Sequence, residues 1–410
     1  MEARTAIRAL TFTWGERQVL KRMGSIEGLE NIPASGPFVL APNHSSYFDH
    51  YVVEFLVNAV RGNPTWFLTK AESFERPLSR VWTEAWYGIP VDRDRPSPTT
   101  IREVQRVLSH GHCLCVYPEG TRGDGVELLP FKAGAFRFAL SAGVPVVPLG
   151  MVGTSSVLPR GARRLRNTQV HVAFGRPLEQ ATEGTKQARS EQLAISSREA
   201  IEELIGRAAA NASGARDTEL AARGAALVDA LITDGFDTAG RLAAGRLAAG
   251  TRRRLTYLTA LYRRTAPDHP DLNAQRVRLL GLSALEAPLP LKLGYAMQVR
   301  RGAEHVLTSV PTHKDAHYLM GRWHLGSPGL LGGSTSAAIQ HFQASDASSP
   351  EGDTRAVAAL GDALAAAGRD AEAGEAYRRV LAETPEDHAR AAGRIMRATE
   401  YLGRAKELVA

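Results

Sequence analysis

At 410 residues the chain is long enough for two or more domains with full cores. An apolar content of 44% and a charged content of 23% exclude a chain that is disordered as a whole. Lys and Arg outnumber Asp and Glu by 50 to 43, a balance that suits an acidic partner: a phospholipid surface, an acidic carrier protein or a phosphorylated substrate. No feature calls for nucleic acid.

In residues 1–23, Ile7, Leu10 and Trp14 fall at helical spacing with Arg4, Arg8 and Arg17 off that line. A basic amphipathic helix of this kind either lies in a membrane interface, with Trp at headgroup depth, or packs on its own domain. Met1 to Met23 carries Arg4, Arg8, Arg17, Lys21 and Arg22 without a long apolar core, so it does not read as a secretory leader. From about Ile26 to Gly206 short apolar runs alternate with helical patterns, the mark of an α/β domain. Strands are expected at Phe38 to Pro42, Thr65 to Thr69, Ile89 to Val91, Cys113 to Tyr117, Val144 to Leu149 and Gln169 to Phe174. Helices fit near Asp49 to Val60, Thr99 to Ser109, Lys132 to Ala142 and Lys186 to Ile205. The uncharged run from Phe138 to Pro159 contains Gly143, Pro145, Pro148, Gly150 and Gly153, which suit strand and loops better than a spanning helix. The expected location is therefore cytoplasmic, peripherally associated with the inner face of a membrane.

The composition turns to Ala, Ser, Gly and Asn around Ala209 to Asp217, which places a linker there. Beyond it Ala, Leu and Arg dominate, strands all but vanish, and Gly240 to Gly250 reads as an Ala-rich helix. Leu360, Gly361, Ala373, Tyr377 and Pro385 stand at tetratricopeptide spacing, in which small residues let paired helices approach and Pro ends the second helix. Met320, Gly321, Ala338, Phe342 and Pro350 repeat it with extra residues in Ser327 to Gly333, and a weaker match ends at Pro311. The division expected is a helix over 1–23, an α/β domain over 24–211 and an all-α tetratricopeptide-like repeat domain over 212–410, whose concave face would hold a peptide or protein.

Chemistry concentrates in the first half. Pro42-Asn43-His44-Ser45-Ser46-Tyr47-Phe48-Asp49 sits where a strand hands over to a helix. Asp49, in the first helical turn, can turn back to the His44 imidazole, fix its tautomer and stabilise the imidazolium that forms when the other nitrogen takes a proton. Taken alone, the pair reads more readily as a helix start in which Asp49 caps free N–H groups and His44 packs. Further on, Pro118-Glu119-Gly120-Thr121-Arg122 follows a strand and offers a backbone that can approach a ligand, a hydroxyl and an Arg fork suited to phosphate oxygens. Cys113 and Cys115 fall on one face of a strand and read as small core residues with no disulfide and no metal.

In order, Asn43-His44 with Asp49, Gly88 to Arg93, Tyr117 to Gly123, and Val144 to Pro148 resemble the four blocks of the PlsC-type glycerolipid acyltransferases, the 1-acylglycerol-3-phosphate acyltransferase family. The resemblance covers about residues 24–211. Tyr117 replaces the family's Phe, and Gly123 replaces a Ser, which removes a hydroxyl near the phosphate end. The resemblance implies an acyltransferase with His44 and Asp49 catalytic, and an acceptor phosphate site from Arg93, Glu119, Gly120, Thr121 and Arg122. Asn43, Lys70, Lys132 and Pro145 would contact substrates, and a backbone N–H near the last block would serve the oxyanion. It implies acyl transfer from acyl-CoA or acyl carrier protein to a lysophosphatidic acid-like acceptor, giving phosphatidic acid, with no metal or cofactor. Two alternatives stand beside it: another lysolipid, acylated amino acid or glycolipid acceptor, and a repeat scaffold with an inactive acyltransferase domain. Arg160, Arg163, Arg164 and Arg166 would meet anionic headgroups, coenzyme A phosphates or an acidic carrier protein, or form a solvated loop.

Overall fold

The computed structural model describes residues 2–92, 97–238, 247–350, 353–384 and 391–407. It forms two compact units, Met1–Gly224 with Ala260–Ala266, and Ala225–Thr259 with Pro267–Ala410. The first is built on strands β1 (Met23–Glu27), β2 (Phe38–Pro42), β3 (Thr65–Lys70), β4 (Gly88–Val91), β5 (Cys113–Cys115), β6 (Val146–Val152) and β7 (Val170–Phe174), in the order β1-β7-β6-β2-β5-β3-β4. β2, β5, β3, β4 and β6 run parallel, while β7 pairs antiparallel with β6 and parallel with β1. The central strands are apolar on both faces because helices cover both, and every residue of β2, β5 and β7 is buried. The carboxyl ends of β2 and β5 therefore lie side by side, where a parallel sheet presents its ligand crevice.

The helices of this unit are α1 (Glu2–Arg22), α2 (Phe48–Arg61), α3 (Pro77–Ala85), α4 (Pro98–Ser109), α5 (Arg137–Ala142), the single turn α6 (Thr154–Val157) and α7 (Lys186–Asn211), with α8 (Asp217–Thr238) continuing into the second unit. The predicted helix over Lys132 to Ala142 is a 3₁₀ turn at Ala133–Phe136 followed by the short α5. α1 packs on its own unit through a line other than the expected one. Arg8 forms an ion pair with buried Glu54, Phe12 meets Phe55 edge-on, and Val19 is buried, whereas Leu10 and Trp14 are 79% and 47% exposed. Cys113 and Cys115 are buried free thiols, and burial pushes both thiol pKa values up.

β1 carries too little apolar alternation to be read from sequence, and its Glu27 explains why the first unit does not close at residue 211. This carboxylate, 1% exposed, accepts from Arg207 (2.5 Å), Asn211 (2.7 Å) and Arg216 (3.2 Å). The expected linker is thus a turn between α7 and α8 tied to the sheet. Burial alone would raise the Glu27 pKa, but hydrogen bonds from Arg207 and Asn211 and the charges of Arg207 and Arg216 outweigh it and hold it below the ordinary range. A carboxylate depressed in the fold contributes stability above its unfolded pKa and loses it as pH falls through the folded value. Glu27→Gln should therefore lower the melting temperature at neutral pH and flatten its decline between about pH 5 and about pH 3; an unchanged pH slope would show that Glu27 is not the titrating group.

In the second unit, α9 (Ala249–Tyr262), whose last turn belongs to the first unit, is followed by α10 (Pro270–Glu286), α11 (Leu289–Ser309), α12 (Lys314–Gly326), α13 (Thr335–Ala347), α14 (Arg355–Ala366), α15 (Asp370–Glu383) and α16 (Ala391–Glu407). Gly321 on α12 faces the buried ring of Phe342 on α13, and a Cβ there would lie 2.5 Å from it. Gly361 on α14 faces Tyr377 on α15 in the same way, at 2.9 Å. These are the small and aromatic positions of the repeat spacing, and they let the paired helices close on each other. The extra residues between α12 and α13 hold a 3₁₀ turn at Gly329–Leu331. In the weaker pair the small residue is on the second helix instead, Gly302 of α11 against Val277 of α10. Pro385 and part of the Gly240 to Gly250 stretch lie outside the described residues.

Candidate active site

The loop after β2 is fastened before it reaches His44. Asn43 directly follows β2, and its side-chain amide donates to the Met151 carbonyl (3.0 Å) while its oxygen accepts from the Met151 N–H (2.8 Å). The amide thereby extends the ladder to β6 by one rung. His44 follows, with its N–H donating to Glu119 Oε1 (2.6 Å) and its carbonyl accepting from the Gly123 N–H (2.8 Å). The other Glu119 oxygen accepts from the Leu129 N–H at 3.0 Å. One carboxylate therefore spans the loop after β2 and the loop after β5.

Asp49, fully buried in the first turn of α2, accepts at a single oxygen from His44 Nδ1 (2.8 Å), Ser45 N–H (2.8 Å) and Ser46 N–H (2.9 Å). The carboxylate thus gathers two loop N–H groups just ahead of α2 and holds the imidazole in one orientation, without capping the helix itself. Because a carboxylate only accepts, the His44 proton sits on Nδ1 and the Nε2 lone pair is left over. The ring lies flat on Tyr117, centroids 3.9 Å apart and planes 22° from parallel. Burial pushes the Tyr117 hydroxyl pKa well up, so this platform is neutral.

His44 borders a cavity of about 870 Å³. Its apolar wall includes Phe67, Leu68, Val91, Val104, Leu108 and Phe138. The charged side chains lining it are Lys70, Arg122, Lys132, Arg137 and Arg160, with no carboxylate among the described residues. Gly120 has φ +70°, and its bare Cα lets the Lys132 stem pass where a Cβ would stand 3.3 Å from it. The Arg122 guanidinium rests over the exposed Tyr47 ring, 3.6 Å from its centroid.

A family model described as Acyltransferase matches residues 25–152. Over 152 residues the chain is 30% identical to a 1-acyl-sn-glycerol-3-phosphate acyltransferase of Bacillus subtilis, a match covering 37% of this chain and 72% of that protein. The chain belongs to this acyltransferase family. A chloroplast 1-acyl-sn-glycerol-3-phosphate acyltransferase of Brassica napus is 34% identical over 158 residues, 37% of this chain and 44% of that one, so the chain spans less than half of that relative's length. The crystal structure of the 1-acyl-sn-glycerophosphate acyltransferase PlsC from Thermotoga maritima aligns with 49% of this chain and 81% of its own at 25% identity, with a TM-score of 0.39.

Within the acyltransferase domain the structure gathers His44, Asp49, Gly120, Thr121, Arg122, Lys70 and Lys132 at or beside the cavity. Three expected substrate contacts have other surroundings. Asn43 has both ends of its amide committed to Met151, and Glu119 has both oxygens committed to backbone N–H groups, where a carboxylate would in any case repel a phosphate. Pro145 lies beside Phe38 at the amino end of β6, whereas His44 follows the carboxyl end of β2, so the parallel strands place Pro145 at the opposite end of the sheet from His44. Arg93 falls outside the described residues. Sequence reading of the acyltransferase assigned no role to Tyr47, His50 or Arg137. Their position beside the motifs was the available signal for Tyr47 and His50; Arg137 carried none.

Proposed function

We propose that this domain moves a fatty acyl group from an acyl thioester, acyl-coenzyme A or acyl carrier protein, to the free hydroxyl of a lysophosphatidic acid, giving phosphatidic acid for phospholipid synthesis. The observation that supports it is one cavity combining an oriented imidazole, an apolar wall of the kind that shelters an acyl chain, and a charged lining of cations alone. His44 Nε2 takes the hydroxyl proton as the acceptor oxygen attacks the thioester carbonyl, and Asp49 stabilises the imidazolium. The carbon–sulfur bond then breaks, and the thiolate leaves with the proton from His44. A thiolate is a good leaving group, so direct transfer needs neither an acyl-enzyme nor a metal or cofactor.

Arg122, with Lys70 and Lys132, is the proposed partner of the acceptor phosphate. Arg122→Lys should raise KM for lysophosphatidic acid about tenfold, because an ammonium reproduces neither the bidentate fork nor the stack on Tyr47, while KM for the donor stays put. A monoacylglycerol, which lacks the phosphate, should be used poorly by both proteins. Equal loss with both acceptors would make Arg122 structural. The outward Leu10 and Trp14 of α1 are the proposed contact with an anionic membrane surface, and the helix pairs the proposed seat of a protein or peptide. No helix among the described residues is long and apolar enough to cross a membrane.

A further inference from the structure

His50 stands one residue beyond Asp49 on α2, lines the cavity beside His44, and has no part in the scheme above. Its ring is wedged between Phe67 (centroids 4.9 Å) and Tyr117 (5.1 Å) and meets His44 edge-on, 5.6 Å between centroids and 66° between planes. Nδ1 is buried with no hydrogen-bond partner among the described residues, which leaves Nε2 as the nitrogen on the cavity side. A proton on Nδ1 would be a buried donor without an acceptor, whereas on Nε2 it meets the cavity. Burial first, then the neighbouring His44, push the His50 pKa down to about 3; Asp49 acts in the opposite direction and Arg122 adds a lesser downward push, so the ring stays neutral.

Two adjacent imidazoles thus face one cavity with opposite characters, a lone pair on His44 Nε2 and an N–H on His50 Nε2. We propose that His50 is the oxyanion donor of the acyl transfer, its Nε2–H directed at the thioester carbonyl oxygen while His44 takes the hydroxyl proton. As the carbon–oxygen bond forms, negative charge collects on the carbonyl oxygen and His50 stabilises it. When the carbonyl re-forms, the carbon–sulfur bond breaks and the thiolate takes the proton held by His44. Attacking oxygen and oxyanion share one carbon, so hydrogen bonds of roughly 3 Å to each need two rings a few ångströms apart and angled to one another. The observed pair meets that condition. A neutral imidazole suits the task because it donates without bringing a second cation beside the forming imidazolium.

The assignment rests on the acyl-transfer reading of the site, and the test separates the two. With acyl-coenzyme A and lysophosphatidic acid, His50→Leu and His50→Phe should lower kcat roughly a hundredfold with both KM values within about threefold, and His50→Gln, which keeps an N–H, should recover about tenfold of that loss. Phe packs like the neighbouring rings, so it keeps the comparison open if Leu perturbs folding, and melting curves check both. Leucine and phenylalanine variants within about threefold of the original kcat, a loss confined to KM, or a glutamine variant no better than leucine would overturn the assignment. Nitrogen NMR of histidine-labelled protein should show His50 as the neutral Nε2–H tautomer, and an Nδ1–H tautomer would also overturn it. His44→Ala is measured alongside. Surviving turnover there defeats the acyl-transfer mechanism itself, whereas unchanged His50 variants beside an inactive His44→Ala defeat this assignment alone.

Discussion

Replacing His44 with alanine is expected to lower turnover roughly 10²- to 10⁴-fold, the range associated with loss of a general base, while the melting temperature moves little. The ring contributes a stack on Tyr117, but its backbone bonds to Glu119 and Gly123 survive the substitution. Asp49→Asn should be milder, about 10- to 100-fold, for a reason visible in the geometry. His44 Nδ1, Ser45 N–H and Ser46 N–H all converge on one Asp49 oxygen, while the other oxygen has no partner among the described residues. The two backbone N–H groups would hold the asparagine carbonyl in the occupied place. His44 then keeps its proton on Nδ1, and only the negative charge that stabilises the imidazolium is lost. The measurement is kcat at saturating acyl donor and lysophosphatidic acid. His44→Ala turning over within about threefold of the original would remove the general base, and an Asp49→Asn as inactive as His44→Ala would mean that the amide turns and reverses the tautomer.

Glu119→Ala should damage stability and activity together. The substitution leaves the N–H groups of His44 and Leu129 without acceptors, at about 1–3 kcal/mol each where water does not replace the carboxylate. A drop of several degrees in the melting temperature is expected, with a large loss of kcat, because the backbone of the base keeps only its Gly123 bond to the loop after β5. Glu119→Gln retains one oxygen and should fall between. If Glu119 instead touched the acceptor phosphate, the loss would appear in KM for lysophosphatidic acid and be absent with a phosphate-free acceptor. A Glu119→Ala protein of unchanged melting temperature with only a raised acceptor KM would therefore sink the bridging role.

The chemistry-bearing stretches were legible because they are contiguous. His44 and Asp49 lie within one strand–helix junction, and the loop at Gly120 to Arg122 follows a strand whose apolar run is plain, so local pattern sufficed. β2 was placed residue for residue because a strand buried on both faces is a bare apolar run bounded by Gly36-Pro37 and the polar loop after Pro42. β1 escaped because Ser25 and Glu27 are buried through partners on distant elements, Ser25 with His171 and Glu27 with Arg207 and Asn211, and no window of sequence contains those partners. Glu119 reads as a ligand for a related reason: its bond from the His44 N–H depends on sheet order, which sets β2 beside β5. Pro145 shows the converse error, a motif residue whose strand direction carries it away from the site it was assigned to. In the helical half, the glycine and aromatic spacing could be read because each contact joins neighbouring helices.

Asn43 locked to Met151, with Glu119 bridging two loops, also bears on motion. The backbone around His44 is held from β6, from the loop after β5 and from the start of α2, so its amides belong to the slowly opening part of the domain. Conformational freedom at the cavity is then left to long cationic side chains such as Lys70 and Arg160, which change rotamer on the picosecond to nanosecond scale without moving the chain. Substrates of different headgroup size would meet a site whose base is fixed in advance and whose rim adapts, so reorganisation on binding falls on solvated side chains and leaves the reacting geometry undisturbed.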